Sequence, residues 1–590
     1  MPRSDLVLLH APSVYDFRQE SILYGPVSDL VPSTPVFEMY PIGFTTMAEY
    51  LERHGFRVRI INLAFRMLKS RRFDAEKAIR RQKPKAFGID LHWMPHAHGA
   101  IEVAKLVKKH YPDTPVILGG FSASFFHKEL IARPEVDYVL RGDSTEVPLH
   151  LLMQHITAPN GGGPALAEVP NLTWQDANGT IHVNPITYSP PDLDHVLLDY
   201  SYVVKAVARY RDMASFIPFE DWLRYPVTAA LTCRGCTHDC NTCGGSATTM
   251  RNVYGRQEVA FRSPESLAHD IRSIARWNRG PVFVLGDIRQ AGMDYAYKFL
   301  EAVKGVNDQL MFEVFGPASC GFLAKMAEAA PRFTLELSPE SHDEQVRAAF
   351  GRHYSNATME QTIQDALDVG CQRFDLFFMI GLPEQTYDSV MGTVDYCEHI
   401  MEKFNANTEN PRVIPFISPF APFLDPGSKV FVNPEAYGYR LIHRTLEEHR
   451  QALVQPSWKY VLNYETKWMS RDEIVAATYE AALRFNRMKA RYSLVSRAQA
   501  NATEARIKKA IRLSQQVDEI MAIEDEARRL KLLQAIKPQV DTANTSTVCD
   551  KRELEVPVGL FKLNIPRAAW IFLSDAVYNL LGQKRKAGVT

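Results

Sequence analysis

The chain is 590 residues long, and its 68 Lys and Arg balance 68 Asp and Glu. Zero formal charge excludes a bulk polyanion binder, leaving nucleic acid out as a default partner, and 46% hydrophobic residues exclude a largely disordered or fibrous chain. No apolar run approaches the ~18 residues of a spanning helix, and Met1-Pro-Arg-Ser-Asp5 opens no secretion signal, so a soluble, cytoplasmic protein is the expectation.

Such a length predicts about three to four domains. Apolar runs at Leu6–His10, Arg57–Asn62, Ala86–Asp90, Pro115–Gly120 and Asp137–Arg141 read as strands, with helices at Thr45–His54 and Gly99–His110 between them. This alternation implies right-handed crossovers and a doubly wound parallel sheet, which binds ligands beyond its strand carboxyl ends. Asn160-Gly-Gly-Gly-Pro164 reads as a turn-rich linker, and Asn171–Trp174 and Thr180–Val183 flank Asp176-Ala-Asn-Gly179 as a hairpin. Alternation resumes at Val227–Thr232, Val282–Leu285, Met311–Phe315, Phe333–Leu337, Arg373–Ile380 and Val413–Ser418. Six such units predict a partial (β/α)6 barrel with its chemistry at the strand carboxyl ends. Beyond residue 431 the chain reads as mainly helical, with Ile507, Ile511, Val517, Ile520 and Met521 at helical spacing. Tyr464-Glu-Thr-Lys-Trp468 is placed in that helical region, as core or as a substrate-facing wall. An apolar helix from Pro566 to Leu573, ending at Lys584-Arg-Lys586, either closes the domain body or touches a membrane surface peripherally. The expected divisions are 1–155, 156–224, 225–430 and 431–590.

Eight cysteines are too few for a disulfide framework, and Cys320, Cys371, Cys397 and Cys549 are scattered like core or neutral thiols. The other four fall within eleven residues, directly after the strand Val227–Thr232. There Cys236, Cys240 and Cys243 form C-x3-C-x2-C on a glycine-bearing loop. Three thiolates so placed can hold three irons of a [4Fe–4S] cube and leave the fourth open; a structural zinc site is the competing reading.

The segment Arg234-Gly-Cys236…Cys240…Cys243-Gly-Gly-Ser246 resembles the signature of radical S-adenosylmethionine (SAM) enzymes, in the subgroup with an N-terminal cobalamin-binding domain. The resemblance implies that Cys236, Cys240 and Cys243 ligate the cluster and that SAM chelates the open iron. Cys233 lies outside the pattern and reads as a buried thiol nearby. Leu285-Gly286-Asp287-Ile288 resembles the segment that holds the methionine amino group, although it departs from the usual Gly-Gly-Glu. Glu336-Leu-Ser338-Pro-Glu340-Ser341 resembles the segment that contacts the ribose and carboxylate of SAM. Ile380-Gly381-Leu-Pro-Glu384 resembles the turn near its adenine, and Phe423-Leu-Asp-Pro-Gly-Ser428 the closing segment. The match covers residues 225–430.

Pro41–Gly55, Val116–Ser124 (with Gly119, Gly120 and Ser122) and Arg141-Gly-Asp-Ser-Thr-Glu146 resemble the Rossmann-like cobalamin-binding domain of the same subgroup. Its Asp-x-His-x-x-Gly motif is absent after the first strand. Asp90-Leu-His92 carries Asp-x-His after the third strand instead, so His92 either approaches the lower face of a corrin or is a polar loop histidine without a ligand. The resemblance implies a [4Fe–4S] cluster, SAM and cobalamin as cofactors. It further implies a 5′-deoxyadenosyl radical, a flavodoxin- or ferredoxin-like electron donor, and C-methylation of an unactivated carbon in a small-molecule, lipid or peptide substrate. The alternatives are radical cyclisation, rearrangement or C–C coupling without methyl transfer, or a sensor built on the cluster or cobalamin.

Overall fold

The computed structural model describes residues 4–25, 42–159, 162–196, 200–217, 222–224, 226–278, 280–307, 309–406, 408, 410–419 and 423–544, with 564, 566–567 and 569–570 beyond them. The fold is α/β. Runs such as Leu6–His10 are apolar on both faces, which suits parallel strands covered by helices on each side. They form the first sheet from β1 (Leu6–His10), β2 (Val58–Asn62), β3 (Ala86–Asp90), β4 (Val116–Gly119), β5 (Tyr138–Leu140), β6 (Leu172–Gln175) and β7 (Ile181–Val183). Its order is β2-β1-β3-β4-β5-β6-β7. The first five strands run parallel, and the hairpin β6–β7 joins antiparallel to β5. The expected hairpin is therefore an extension of the first sheet and not a free linker element. Helices Ile42–Arg53 and Ala97–His110 serve as crossovers close to their expected positions.

The second sheet takes β8 (Thr228–Leu231), then, after a short antiparallel pair β9 (Cys233–Arg234) and β10 (Ala260–Phe261), β11 (Val282–Leu285), β12 (Leu310–Val314), β13 (Thr334–Glu340), β14 (Arg373–Ile380) and β15 (Val413–Pro419). These six strands are parallel and lie in chain order, the curl of a partial (β/α)6 barrel. The C-terminal part is mainly helical, with long helices Arg471–Arg491, Arg497–Met521 and Glu526–Ala543. Ile507, Val517 and Ile520 are buried on the second of these.

One sequence expectation fails here. Tyr464–Thr466 is not helical but forms the strand β17, antiparallel to β16 (Tyr439–Leu441). The alternation of buried Tyr464 and Thr466 around the outward Glu465 is a period of two, too short to stand out within a charged segment. The Pro566–Leu573 helix lies largely outside the described residues, and Lys584–Lys586, Cys549, Pro41 and the Asn160-Gly161 step lie wholly outside them. Among the described residues no helix is long and apolar enough to cross a membrane. One continuous apolar core runs from Val7, Leu9 and Ile89 of the first sheet through Ala230, Phe312 and Phe374 of the second to Phe485 and Ile507 of the helices.

Candidate functional site

The strand β8 delivers the chain to the cysteine loop, and helix Ala247–Tyr254 takes it away. Ser246 caps that helix by accepting from the Thr249 amide. The loop docks on helix Glu344–Phe350: Asn241 donates its amide to Phe350 O at 3.2 Å and its side chain to Ala349 O at 2.7 Å. His238 N points at Cys236 Sγ and Gly245 N at Cys243 Sγ, each at 3.3 Å, the donors that a thiolate uses. Burial pushes the Cys236 thiol up to about 11 and raises Cys240 and Cys243, with Asp425 adding to the effect on Cys243. Binding metal would expel the thiol protons. Arg352, positioned by the left-handed Gly351, faces Cys240 and Cys236 and lowers the cost of that charge. Three thiols on one loop, with no fourth His or Cys side chain bonded to them among the described residues, are a donor set that fits three irons of a [4Fe–4S] cube.

The expected SAM residues divide in two. Gly286 has φ +88°, and a Cβ there would meet Thr232 Oγ1 at 2.7 Å; its N–H donates to Glu313 Oε2 at 2.9 Å. Glu340 is buried at φ +69° with Oε2 unpartnered, and burial pushes it up to about 7 against the pull of Arg352 and Arg347. Arg352 Nε is buried and unpartnered beside it. Ser338 is half-buried on the same strand. These features leave polar groups waiting for a ligand, and they fit SAM. By contrast, the Asp287 carboxylate already accepts from Arg289 and the Phe315 amide, so it builds the turn. Ile380 is a core side chain, and Gly381 (φ +99°) is held by Gln385 Oε1 and Tyr439.

Below these groups, Glu313, Glu336 and Asp375 stand side by side in register on β12, β13 and β14. Burial, then Asp375 and Glu313, push Glu336 up to about 8.

A cavity of about 440 Å³ joins the two sheets. On one side it is lined by the strand ends of the first sheet, Asp90, Gly119 and Leu140, with His92 and Gly120; on the other stand Leu231, Cys233, Gly235 and Gly245 of the cysteine loop. Cys233 is thus a buried thiol in its wall. Gly120 has φ +116°, and a Cβ there would lie 2.4 Å from His92 Cα. Asp90 is buried with Oδ1 unpartnered. An apolar cradle with one orphaned carboxylate oxygen fits a cobalamin. Ser122 is buried and does not line the cavity.

Several positioning residues escaped sequence reasoning. Arg234 forms a buried ion pair with Glu146 at 2.6 Å and bonds Ser144 Oγ at 2.9 Å, while Arg256 pairs with Asp143. Asp425 accepts from Trp93 Nε1 at 3.1 Å and from Gly244 N at 2.9 Å, tying the first sheet's loop, the cysteine loop and the post-barrel segment together. Arg234, Asp143, Ser144, Glu146 and Asp425 sit inside segments already singled out; Arg256 and Trp93 do not.

Comparison with known proteins accords with this geometry. The chain matches the B12 binding domain over residues 30–152 and the Radical SAM superfamily over residues 231–397. It is 26% identical over 288 residues to a hopanoid C-3 methylase of Methylococcus capsulatus, covering 48% of this chain and 50% of that protein. It is 23% identical over 334 residues to a cytidylyl-2-hydroxyethylphosphonate methyltransferase of Streptomyces wedmorensis, covering 49% and 60%. The chain thus spans about half the length of the curated relatives it matches. Among solved structures, the cobalamin-dependent SAM radical enzyme OxsB with aqua-cobalamin bound aligns at TM-score 0.56 and 12% identity, over 98% of this chain and 81% of that one. The radical SAM methyltransferase TsrM of Kitasatospora setae, with cobalamin and a [4Fe–4S] cluster bound, aligns at 0.51 and 16%, over 74% and 77%. The Radical SAM match implies a [4Fe–4S] cluster and SAM, and the B12 match implies cobalamin. The cavity where the two sheets meet therefore lies between a segment that matches the B12 binding domain and a segment that matches the Radical SAM superfamily.

Proposed function

We propose that the protein is a cobalamin-dependent radical SAM methyltransferase acting on an unactivated carbon of a small molecule. One observation carries the reading: a single cavity is walled by the cysteine loop on one side and the first sheet's strand ends on the other. When bound, the cluster with SAM supplies hydrogen-atom abstraction, and cobalamin supplies the methyl group; the protein contributes orientation and a dry enclosure. Cys236, Cys240 and Cys243 would hold the cluster, with Arg352 neutralising part of its charge. Gly286, Ser338 and Glu340 would hold SAM, with Glu313 fixing Gly286. Asp90, His92, Gly119 and Gly120 would form the cobalamin wall, and the Arg234–Glu146 and Asp425 ties would keep the two walls in register. Electrons would come from a flavodoxin- or ferredoxin-like donor.

The relatives named as methylating enzymes act on a hopanoid and on a cytidylyl phosphonate, so the reading takes the substrate as a small molecule with an unreactive C–H bond. The test is anaerobic reconstitution of the full chain with iron, sulfide and hydroxocobalamin, followed by reduction with SAM present. Formation of both 5′-deoxyadenosine and S-adenosylhomocysteine is expected. 5′-Deoxyadenosine alone would favour radical chemistry without methyl transfer, and neither product would favour a sensor.

A further inference from the structure

The second sheet alternates so that its inner face is left open. Phe312, Leu335, Leu337, Phe374 and Leu376 point outward into the continuous apolar core and are at most 1% exposed. Their inward neighbours Glu313, Glu336, Ser338 and Phe377 are only half-buried. Small barrels are ordinarily filled by layers of apolar side chains; this lumen carries acids and stays open. Two residues upstream of Ser338, about 7 Å deeper along β13, Glu336 pairs in register with Glu313 on β12 and Asp375 on β14. Arg373 answers one of the three, its Nε donating to both Asp375 oxygens at 2.8 and 2.9 Å. Glu313 spends Oε2 on the Gly286 amide. Glu336 makes no hydrogen bond among the described residues. Thr334 precedes it on the same face, 5% exposed, with its buried Oγ1 unpartnered.

A carboxylate and a hydroxyl, neither hydrogen-bonded among the described residues, thus look into one open space beside two further acids. The mutual repulsion of the row already raises Glu336. An anion would add to that repulsion, and a neutral ligand would leave it standing. A cation with N–H donors removes it and satisfies both groups. The next inward row decides which cation. Phe377 on β14 and Phe416 on β15 are in register, with stacked rings whose centroids lie 5.1 Å apart. Aromatic rings attract organic cations and pack against their carbon skeleton, which suits an ammonium better than a hydrated metal ion.

Resting on the radical SAM reading above, we infer that the barrel lumen is a substrate subsite for a protonated amine. Glu336 is its counter-ion, Thr334 its hydroxyl partner, and Phe377 and Phe416 hold the adjoining carbon. The substrate is then a small molecule bearing a basic nitrogen, seated deeper in the barrel than Ser338.

The test needs no natural substrate. The full chain, carrying an oxidised cluster and saturated with SAM, is titrated with para-fluorobenzylamine and with its neutral isostere para-fluorobenzyl alcohol, followed by fluorine NMR. At about pH 8 the amine is charged and Glu336 is near its own midpoint. Tighter binding of the amine by about tenfold is expected. That preference should be lost in Glu336→Gln, reduced in Thr334→Val and kept in Glu328→Gln, a surface variant. Retained cluster absorbance shows that each variant is folded; if Glu336→Gln loses it, Thr334→Val decides. Equal binding of the two probes, no binding of either, or a preference that survives both lumen variants would overturn the subsite. A preference seen without SAM and abolished by it would assign the acids to SAM and overturn it too. Failure of the radical SAM reading shows separately, as the absence of 5′-deoxyadenosine on reduction.

Discussion

Gly120 sits where the chain turns beyond β4, at a φ that side chains rarely adopt and against the backbone of His92. Both conditions demand the missing Cβ. Gly120→Ala is expected to cost about 2–4 kcal/mol, from left-handed strain and steric conflict together. The variant would also lose retained cobalamin; thermal unfolding and cofactor stoichiometry check the two effects separately. Glu336 makes a pH prediction at the same scale. Its folded-state carboxyl is raised to about 8, so the folded chain binds a proton that the unfolded chain has released. Stability of the cofactor-free protein should therefore fall as pH rises from the ordinary carboxylate range toward 8, on the order of 2–4 kcal/mol. Glu336→Gln should flatten that slope in denaturant titrations at several pH values, and an unchanged slope would remove Glu336 as its source.

The two sheets meet through a few buried polar links between elements. Arg234 on β9 reaches Glu146 at the start of helix Glu146–Thr157, and Thr46 also donates to that carboxylate at 3.2 Å. Removing one partner strands the other charge, so Glu146→Ala should cost about 3–5 kcal/mol, and Arg234→Met with Glu146→Leu should recover much of it. A double-mutant cycle on guanidinium unfolding measures the coupling, and strictly additive losses would count against the link. Elements such as β1, β3, β11 and β14 were legible because each is a short apolar run bounded by turn residues. The cysteine triad was legible as a pattern because its three thiols are local. Arg352, Trp93 and Asp425 were not, since their roles depend on contacts that only the folded chain creates: Trp93 and Asp425 stand 332 positions apart. For Asp287 the segment gave the pattern but not the partner: Arg289 two residues on binds its carboxylate. Tyr464 was misplaced because three strand residues give too little periodicity to compete with the surrounding helical composition.

At the scale of the whole molecule, strand ends of the first sheet face the β8 end and the cysteine loop across one cavity, so a group held on each wall would be neighbours without any domain movement. Cys236→Ala, Cys240→Ala and Cys243→Ala combined should abolish iron and sulfide binding yet leave cobalamin bound, because the first sheet's wall is untouched; loss of both would show that the walls fold only around the cluster. The most direct measurement is the spin relaxation of cobalt(II) in protein loaded with cobalamin and a reduced cluster, compared with the triple variant loaded with cobalamin alone. Shared occupancy of the cavity predicts faster cobalt relaxation in the wild type, driven by the paramagnetic cluster across the cavity. Identical relaxation in the two proteins, with both groups present in the wild type, would contradict it.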